Sequence, residues 1–355
     1  MKINLRGLLI NLSLVLFSTS VALLVSEMAL RLMGSGPLYV SPERDRFWKY
    51  DSLLGWAHEP GQRGVFETSE FQIGVRINEN GLRDRLHSYE RQDDIGRILV
   101  LGDSFAWGYG VKDAERFSER LEEALGIEVI NAGVSGYSTD QELLWYENEG
   151  IKYETDLVIL VLAGNDVGDN HRQLVNTIYY KPRFVLQDGQ LVLMGTPVPK
   201  TSPQGKFVYS LSQRSALAYF LVQRYFDIRS LYARLKSKSD LSNPAKTATD
   251  AKAEPFELTI ALLDKIRNVA ESRNAKFMIV TTDSWWNYPT EETYDDLLTA
   301  MRENGFLVLD VESMPGFDPE TMIIPNDGHW NSSGNEFVAK EVQALIETER
   351  LLKQP

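Results

Sequence analysis

A serine directly follows a short apolar run in the segment 97–108. Residues 98–101 are apolar, Gly102 interrupts them, and Asp103 and Ser104 come next. A buried strand that ends in this way presents a hydroxyl at the rim of a parallel sheet, where a serine with a neighbouring base can act as a nucleophile. The same tripeptide also occurs in ordinary strand-to-helix turns with an Asp or Ser cap, so partners elsewhere in the chain decide between these interpretations.

A serine nucleophile needs a base, and histidine is the usual one because its neutral form is available near pH 7. The chain has four histidines. His329 lies in an Asp-Gly-His-Trp-Asn segment before the last helical stretch, and Asp327 can accept its ring N–H and hold the tautomer. We predict His329 as the base and Asp327 as its orienting acid. Of the others, His58 and His87 precede the strand-rich region, whereas His171 follows a polar loop and is a candidate substrate contact.

Five short apolar runs alternate with helical stretches from residue 97 onward. They cover residues 97–101, 127–130, 157–162, 277–281 and 306–311. This alternation predicts an α/β fold with a doubly wound, flavodoxin-like parallel sheet of five strands in three α/β/α layers. Ligands bind beyond the carboxyl ends of such strands. Polar loops follow the first three runs, at Gly102–Ser104, Asn131–Ser138 and Gly164–Asp166, and we expect them to share one rim.

The order of these loops resembles that of the SGNH hydrolase superfamily, the GDSL family of esterases and lipases, over about residues 95–350. Four blocks carry the resemblance: Gly102–Phe105, the glycine block ending in Ser135–Ser138, Gly164–Asp166, and Asp327–His329. The resemblance implies that Ser104 is the nucleophile, His329 the general base and Asp327 the acid that orients it.

The same resemblance implies an oxyanion hole for the tetrahedral intermediate of acyl transfer. Its donors would be the backbone N–H groups of Ser104 and Gly136 and the side-chain amide of Asn165, with Gly133 as the alternative glycine donor. A neutral amide donates without a pKa shift, and glycine leaves room for the substrate. Fixed donors of this kind contribute about 3 to 4 kcal/mol each in other enzymes.

Two features depart from the family pattern. Phe105 replaces the leucine of the GDSL tetrapeptide, a change that we expect to affect packing behind the nucleophile and not the chemistry. The acid and base are spaced Asp-x-His, whereas Asp-x-x-His is the commonest family pattern, so Asp310 at the end of the last apolar run is the alternative acid. Asp-x-His-Trp segments occur in relatives that act on polysaccharide O-acetyl groups, including acetyltransferases.

Composition limits the partners. Lys and Arg total 37 against 50 Asp and Glu, and the net charge of -13 would repel a phosphate backbone, so we expect no nucleic-acid partner. The chain has no cysteine, which excludes disulfides, thiol nucleophiles and thiolate zinc sites. No P-loop, His-rich metal cluster or dinucleotide fingerprint accompanies the four blocks, and we predict no cofactor and no metal. The sequence indicates no particular protein partner.

The N-terminal residues indicate a membrane anchor. Residues 8–26 are apolar or small apart from one asparagine, and 19 helical residues at about 1.5 Å each reach roughly the thickness of a hydrocarbon core. Lys2 and Arg6 precede this run without any acidic residue, so the positive-inside rule predicts a single pass of the inner, cytoplasmic membrane with the N-terminus inside. Glu27 and Arg31 are spaced to pair as the helix leaves the membrane. A cleaved signal peptide is the alternative, although no Ala-x-Ala site follows the run.

The chain therefore divides into a transmembrane signal anchor at 1–33, an extracytoplasmic segment with a strand or hairpin at 34–95, and a hydrolase domain at 96–350. In the second segment, residues 65–78 partly alternate and Asn80-Gly81 supplies a turn signal. The hydrolase domain contains an inserted subdomain or lid at 170–255, with three predicted parts: a hairpin around Gln187–Gln190, an aromatic-rich helix near 215–236 and a small-polar linker at 238–253.

These features predict a membrane-anchored extracytoplasmic serine esterase that removes a short acyl group, with acetyl as the leading candidate. The substrate would be an ester-bearing small molecule, a lipid or a glycan of the envelope, and Trp285 and Trp286 after the fourth run are candidates for stacking on it. Two alternatives stay open. One is an O-acyltransferase that uses the same serine, and the other is a catalytically silent glycan-binding or assembly protein that keeps the fold.

Overall fold

A computed structural model describes residues 5–36, 40, 42–91, 96–175, 179–225, 228, 256–286 and 292–352. The chain forms two compact units, Met1–Tyr39 with Thr201–Ala251, and Val40–Lys200 with Lys252–Pro355. The first unit holds the N-terminal helix and part of the insertion. The second holds the central sheet and every candidate site residue named above.

The strands, in chain order, are β1 (Trp48–Asp51), β2 (Gly55–His58), β3 (Arg63–Glu67), β4 (Gln72–Arg76), β5 (Arg97–Gly102), β6 (Glu128–Asn131), β7 (Leu157–Ala163), β8 (Leu174–Val175), β9 (Tyr179–Tyr180), β10 (Arg183–Gln187), β11 (Gln190–Met194), β12 (Lys276–Thr282) and β13 (Val308–Asp310). The helices are α1 (Leu5–Leu32), α2 (Ser104–Trp107), α3 (Phe117–Leu125), α4 (Thr139–Asn148), α5 (Gly164–Asp169), α6 (Pro203–Ser212), α7 (216–225), α8 (Glu257–Glu271), α9 (Tyr294–Glu303), α10 (Pro319–Met322) and α11 (Ser332–Thr348).

The central sheet has five parallel strands in the order β13-β12-β7-β5-β6. This is the predicted doubly wound, flavodoxin-like arrangement, and the prediction is confirmed. Strands β5 and β7 are buried along their whole length, as expected for strands covered by helices on both faces. Leu99 and Leu101 face the core cluster that includes α4 and α8, whereas Ile98 and Val100 face the cluster that includes α3 and α11.

Hairpins flank the sheet. Asn80-Gly81 forms a turn as its sequence indicates, closed by the Gly81 N–H, which donates to the Asn78 carbonyl at 3.0 Å. The turn follows a hairpin in which β3 pairs with β4, and the hairpin reverses at residues 68–71. The reason is local: the Thr68 hydroxyl accepts the N–H groups of Glu70 and Phe71 and so closes a turn inside the alternating segment. β10 pairs with β11 around a two-residue turn, and both turn residues, Asp188 and Gly189, have positive φ.

Among the described residues, one helix is long and apolar enough to cross a membrane, with a candidate span at Leu9–Leu32 in which no residue is fully buried. Such a helix is compatible with a single-pass anchor or with a signal sequence. Arg31 pairs with Glu27 at 2.7 Å, as the spacing predicts. Of the predicted helix near 215–236, residues 216–225 are helical, and residue 228 is also described as helical. Ser215 precedes the helix, and residues 226, 227 and 229–236 lie outside the described residues, as does the linker at 238–253.

Candidate active site

Ser104 stands where strand β5 turns into helix α2. Gly102 has a φ of 149°, and a Cβ there would lie under 3 Å from the side chains of Ala106 and Val161, so the turn requires glycine. The Asp103 carboxylate caps α2 by accepting the backbone N–H two residues further on, at 2.9 Å. The nucleophile candidate is therefore the first residue of a short helix at the carboxyl end of a central strand.

The structure brings His329 and Asp327 to this serine. His329 Nε2 lies 2.7 Å from Ser104 Oγ, and His329 Nδ1 is hydrogen-bonded to the Asp327 carboxylate. A carboxylate only accepts, so the proton sits on Nδ1 and leaves the Nε2 lone pair directed at the serine hydroxyl. The alternative acid, Asp310, instead accepts the hydroxyl of Tyr294 at 3.0 Å.

The loop before α11 explains how an Asp-x-His spacing achieves this contact. Ile323 and Trp330 form an antiparallel bridge, and the carbonyl of His329 accepts a backbone N–H from across it at 2.8 Å. Asn326 and Gly328 both have positive φ, which reverses the chain on either side of Asp327. The carboxylate is thereby folded back under the imidazole ring.

Aromatic rings surround the His329 imidazole. Tyr109 stacks on it with centroids 4.1 Å apart, Trp285 meets it edge-on at 4.4 Å, and Phe105 lies 4.9 Å away. Trp285 also has a φ of 58°, which is rare for a bulky residue, and it keeps 42% of its surface exposed. The phenylalanine that replaces the family leucine thus packs directly on the base. Tyr109 was missed by the sequence analysis, and its position five residues after the serine was the available signal.

The other two candidate substrate contacts are Trp286 and His171. Trp286 packs between Phe256 and Tyr294, with centroid distances of 6.1 and 5.8 Å. His171 is exposed beyond the end of α5. Contact of either side chain with a substrate stays a prediction.

The two candidate glycine donors differ in what their N–H groups contact. Gly133 donates its N–H to the Asn131 side chain at 2.9 Å, and a Cβ on it would meet the backbone nitrogen of Trp107 at 2.4 Å. Gly136 has a φ of 82°, and a Cβ there would contact only the Trp56 ring, at 3.5 Å. Within the described residues, no acceptor is found for the Gly136 N–H. Gly136 therefore stays the candidate donor, whereas the Gly133 N–H is already used and Gly133 packs closely against α2.

Asn165 is the second residue of α5, at the carboxyl end of the strand that neighbours β5. Its amide nitrogen donates over 3.4 Å to the carboxylates of Asp166 and Asp169. These are long contacts that a stronger acceptor can replace. The amide oxygen is buried without a hydrogen-bond partner among the described residues.

Three buried carboxyl groups lie close enough to interact electrostatically next to the nucleophile. Burial raises the pKa of Asp103, and its carboxyl oxygen lies 3.2 Å from Ser104 Oγ. Burial and the neighbouring acids raise the pKa of Glu142 and of Asp166 well above the ordinary carboxyl range. Both Glu142 oxygens are buried without a hydrogen-bond partner in the described structure. No group of three or more acids or histidines among the described residues is arranged to hold a metal ion.

A parallel sheet covered by helices, with a Ser–His pair at the carboxyl end of its strands, is typical of α/β serine hydrolases. The profile of the GDSL-like Lipase/Acylhydrolase family matches residues 100–337, more than half of the 355-residue chain. The chain therefore belongs to the GDSL-like lipase/acylhydrolase family, and it is a carboxylic ester hydrolase.

Several solved structures are similar to the chain at low identity. A member of the lipolytic protein G-D-S-L family from Veillonella parvula has 14% identity and a TM-score of 0.37, covering 71% of this chain and 98% of that chain. A GDSL-like lipase from Bacteroides thetaiotaomicron has 10% identity and a TM-score of 0.35, covering 71% and 88%. A two-domain esterase active on acetylated mannans has 13% identity and a TM-score of 0.38, covering 73% of this chain and 51% of that chain. The comparison with curated proteins gives no match.

Proposed function

We propose that the chain is a membrane-anchored serine esterase that hydrolyses short-chain acyl esters, O-acetyl esters foremost, on a glycan of the cell envelope. The single observation that carries the proposal is the hydrogen-bonded series Ser104–His329–Asp327, with 2.7 Å between the serine oxygen and the histidine nitrogen. A turn without a catalytic role would not require a serine, a histidine and an aspartate that are hydrogen-bonded in series.

In the proposed mechanism His329 Nε2 takes the Ser104 proton as Oγ attacks the ester carbonyl carbon. The N–H groups of Ser104 and Gly136 and the Asn165 amide stabilise the carbonyl oxygen as it becomes negative. The C–O bond to the alcohol breaks, and His329 returns the proton to the leaving alkoxide. Water, deprotonated by His329, then attacks the acyl-serine, which releases the carboxylic acid and restores the hydroxyl of Ser104.

The crowding of aromatic rings around the base favours a short acyl group. Tyr109, Trp285 and Phe105 lie within 5 Å of the His329 ring, measured between ring centroids. An acetyl group needs less room beside these rings than a long acyl chain does. The half-exposed Trp285 ring next to the base offers a flat apolar face of the kind that sugar rings stack on.

The test uses the purified full-length protein in detergent. A fluorophosphonate probe should label Ser104, and p-nitrophenyl acetate should be turned over faster than the octanoate ester. Ser104→Ala should abolish labelling and lower kcat by roughly 10⁴-fold or more. Ser333→Ala, which removes an exposed hydroxyl on α11, is the matched control and should change neither.

Labelling that persists in Ser104→Ala, or a folded protein that turns over no ester, would contradict the proposal. An acyltransferase would use the same acyl-serine and pass the group to a sugar hydroxyl in place of water. Product analysis with an acetylated glycan, with and without an acceptor sugar, separates the two reactions.

A further inference from the structure

Helices α6 and α7 of the smaller unit expose large apolar side chains. Phe207, Val208 and Leu211 on α6, and Phe220, Leu221 and Tyr225 on α7, are between 39% and 69% exposed. We call these six residues the apolar patch. The three on α6 are spaced i, i+1 and i+4, so they share one face of that helix. Soluble domains seldom leave large apolar side chains grouped in this way, and such groups mark binding surfaces.

The patch-bearing helices are tied to the end of the candidate membrane span. The Glu27 carboxylate of α1 accepts the Ser215 hydroxyl at 2.7 Å and the N–H groups of Ala216 and Leu217 at 2.9 Å each. Glu27 therefore caps the first turn of α7 from a distant part of the chain, as a carboxylate at a helix N-terminus does. Arg31 adds a hydrogen bond to the carbonyl of Arg214 at 2.9 Å.

The position of Glu27 along α1 determines how deep in the bilayer this cap lies. The candidate span runs from Leu9 to Leu32. A hydrocarbon core takes about 20 helical residues, so a helix that enters it at Leu9 leaves it near residue 28. Glu27 and the start of α7 then lie at the boundary between acyl chains and headgroups.

We infer that α6 and α7 form a second membrane-contacting element, which lies in the lipid interface at the C-terminal end of α1. Its apolar patch enters the acyl-chain boundary, and its cations face the headgroups. Lys206 and Arg224 are exposed on these helices, and the Arg224 guanidinium lies 5.6 Å from the Phe220 ring, so its stem follows the apolar surface while its charge reaches phosphate. The inference rests on the proposed anchoring by α1.

The chain contains no cysteine, so one introduced cysteine can be labelled without background. Leu211→Cys and Leu221→Cys report on the apolar patch, and Glu123→Cys on the exposed side of α3 is the matched control. Each full-length variant is labelled with the environment-sensitive dye NBD and reconstituted into vesicles of phosphatidylcholine and phosphatidylglycerol. Turnover of p-nitrophenyl acetate shows that each labelled variant is folded.

At positions 211 and 221 we expect blue-shifted NBD emission and quenching by nitroxide-labelled lipid several-fold stronger than at position 123. If labels at 211 and 221 behave like the label at 123, the inference is wrong. A blue shift without quenching by lipid also overturns it, because the patch would then be covered by protein.

Alkaline extraction of the membranes and the intact mass of the protein show whether α1 is a retained anchor, independently of the NBD labels. An intact N-terminus in the membrane pellet, together with water-exposed labels, overturns the interfacial element alone. A mature chain that begins after Glu27 lacks the cap on α7, and it overturns both the anchor and the inference.

Discussion

At the scale of single residues, the orientation of the base depends on Asp327. In Asp327→Asn an amide faces His329 Nδ1, and its N–H group favours the tautomer with the proton on Nε2, which cannot accept from Ser104. We expect kcat for p-nitrophenyl acetate to fall by roughly 10³ to 10⁴-fold with little change in KM. Asp310→Asn is the control, because that carboxylate contacts Tyr294 and not the base. Equal losses in the two variants would contradict the assignment of the acid.

The Asn165 amide is proposed to act only when charge develops on the substrate oxygen. Asn165→Ala should therefore lower kcat by about 10² to 10³-fold and leave KM nearly unchanged. Asn268→Ala, at an exposed asparagine on α8, should leave both constants as they are. Steady-state kinetics on the same ester measure the effect. A raised KM at constant kcat would show instead that Asn165 binds the ground state.

Glu142 couples stability to pH because burial raises its pKa in the folded chain. Below the ordinary glutamate pKa the carboxyl is protonated in both folded and unfolded chains. As pH rises above that value the unfolded chain releases the proton first, so folding loses up to about 1.4 kcal/mol per pH unit until the folded-state pKa is reached.

Glu142→Gln removes this titration, so the variant should unfold at a higher temperature than the natural chain at pH 8, and the difference should shrink toward pH 4. Thermal unfolding followed by near-UV circular dichroism across this range measures it. Destabilisation by the same amount at every pH would show that the carboxyl makes a specific contact.

At the scale of secondary structure elements, the sheet could be predicted because buried parallel strands are continuous apolar runs. Strands β5, β7 and β12 correspond to such apolar runs in the sequence, and polar loops follow β5, β6 and β7. The sequence suggests the pairing of Asp327 with His329 but does not fix it, because the contact depends on backbone reversals at Asn326 and Gly328. The position of Tyr109 five residues after Ser104 places it near the site, but its stacking on the base could not be predicted, since aromatic residues in loops pack in many ways.

The loop after strand β6 packs closely against helix α2, and this makes Gly133 sensitive to substitution. The β6 loop approaches α2 so closely that a Cβ on Gly133 would lie 2.4 Å from the Trp107 nitrogen, and a backbone atom cannot rotate away. Gly133→Ala should therefore displace α2, cost roughly 1 to 3 kcal/mol of unfolding free energy and reduce fluorophosphonate labelling of Ser104. Denaturant titration and labelling rates measure the two effects.

Gly74→Ala is the control for that substitution. Gly74 lies on β4 with nothing within 4 Å of its Cβ position, so stability and labelling should both be retained. Normal labelling in Gly133→Ala would show that α2 tolerates the shift.

At the scale of the whole molecule, one unit combines the apolar helix α1 with the inserted helices, and the other carries Ser104, His329 and Asp327. The hydrogen bonds from Ser215, Ala216 and Leu217 to Glu27 join α7 to α1 within the smaller unit. The apolar helix is compatible with a retained anchor or with a signal sequence, and the intact mass of the membrane-bound chain distinguishes the two. The insertion interrupts the larger unit in sequence, so a cut at one position of the chain does not separate the two units.

The basic residues before α1 and the absence of acids there predict that the catalytic unit lies outside the cytoplasm. In bacterial spheroplasts that express full-length single-cysteine variants, a membrane-impermeant maleimide should label Glu123→Cys without permeabilisation. Asn4→Cys should be labelled only after permeabilisation. Because the natural chain has no cysteine, it serves as the background control. Labelling of position 4 in intact spheroplasts with protection of position 123 would reverse the orientation, and an envelope glycan would then be out of reach of Ser104.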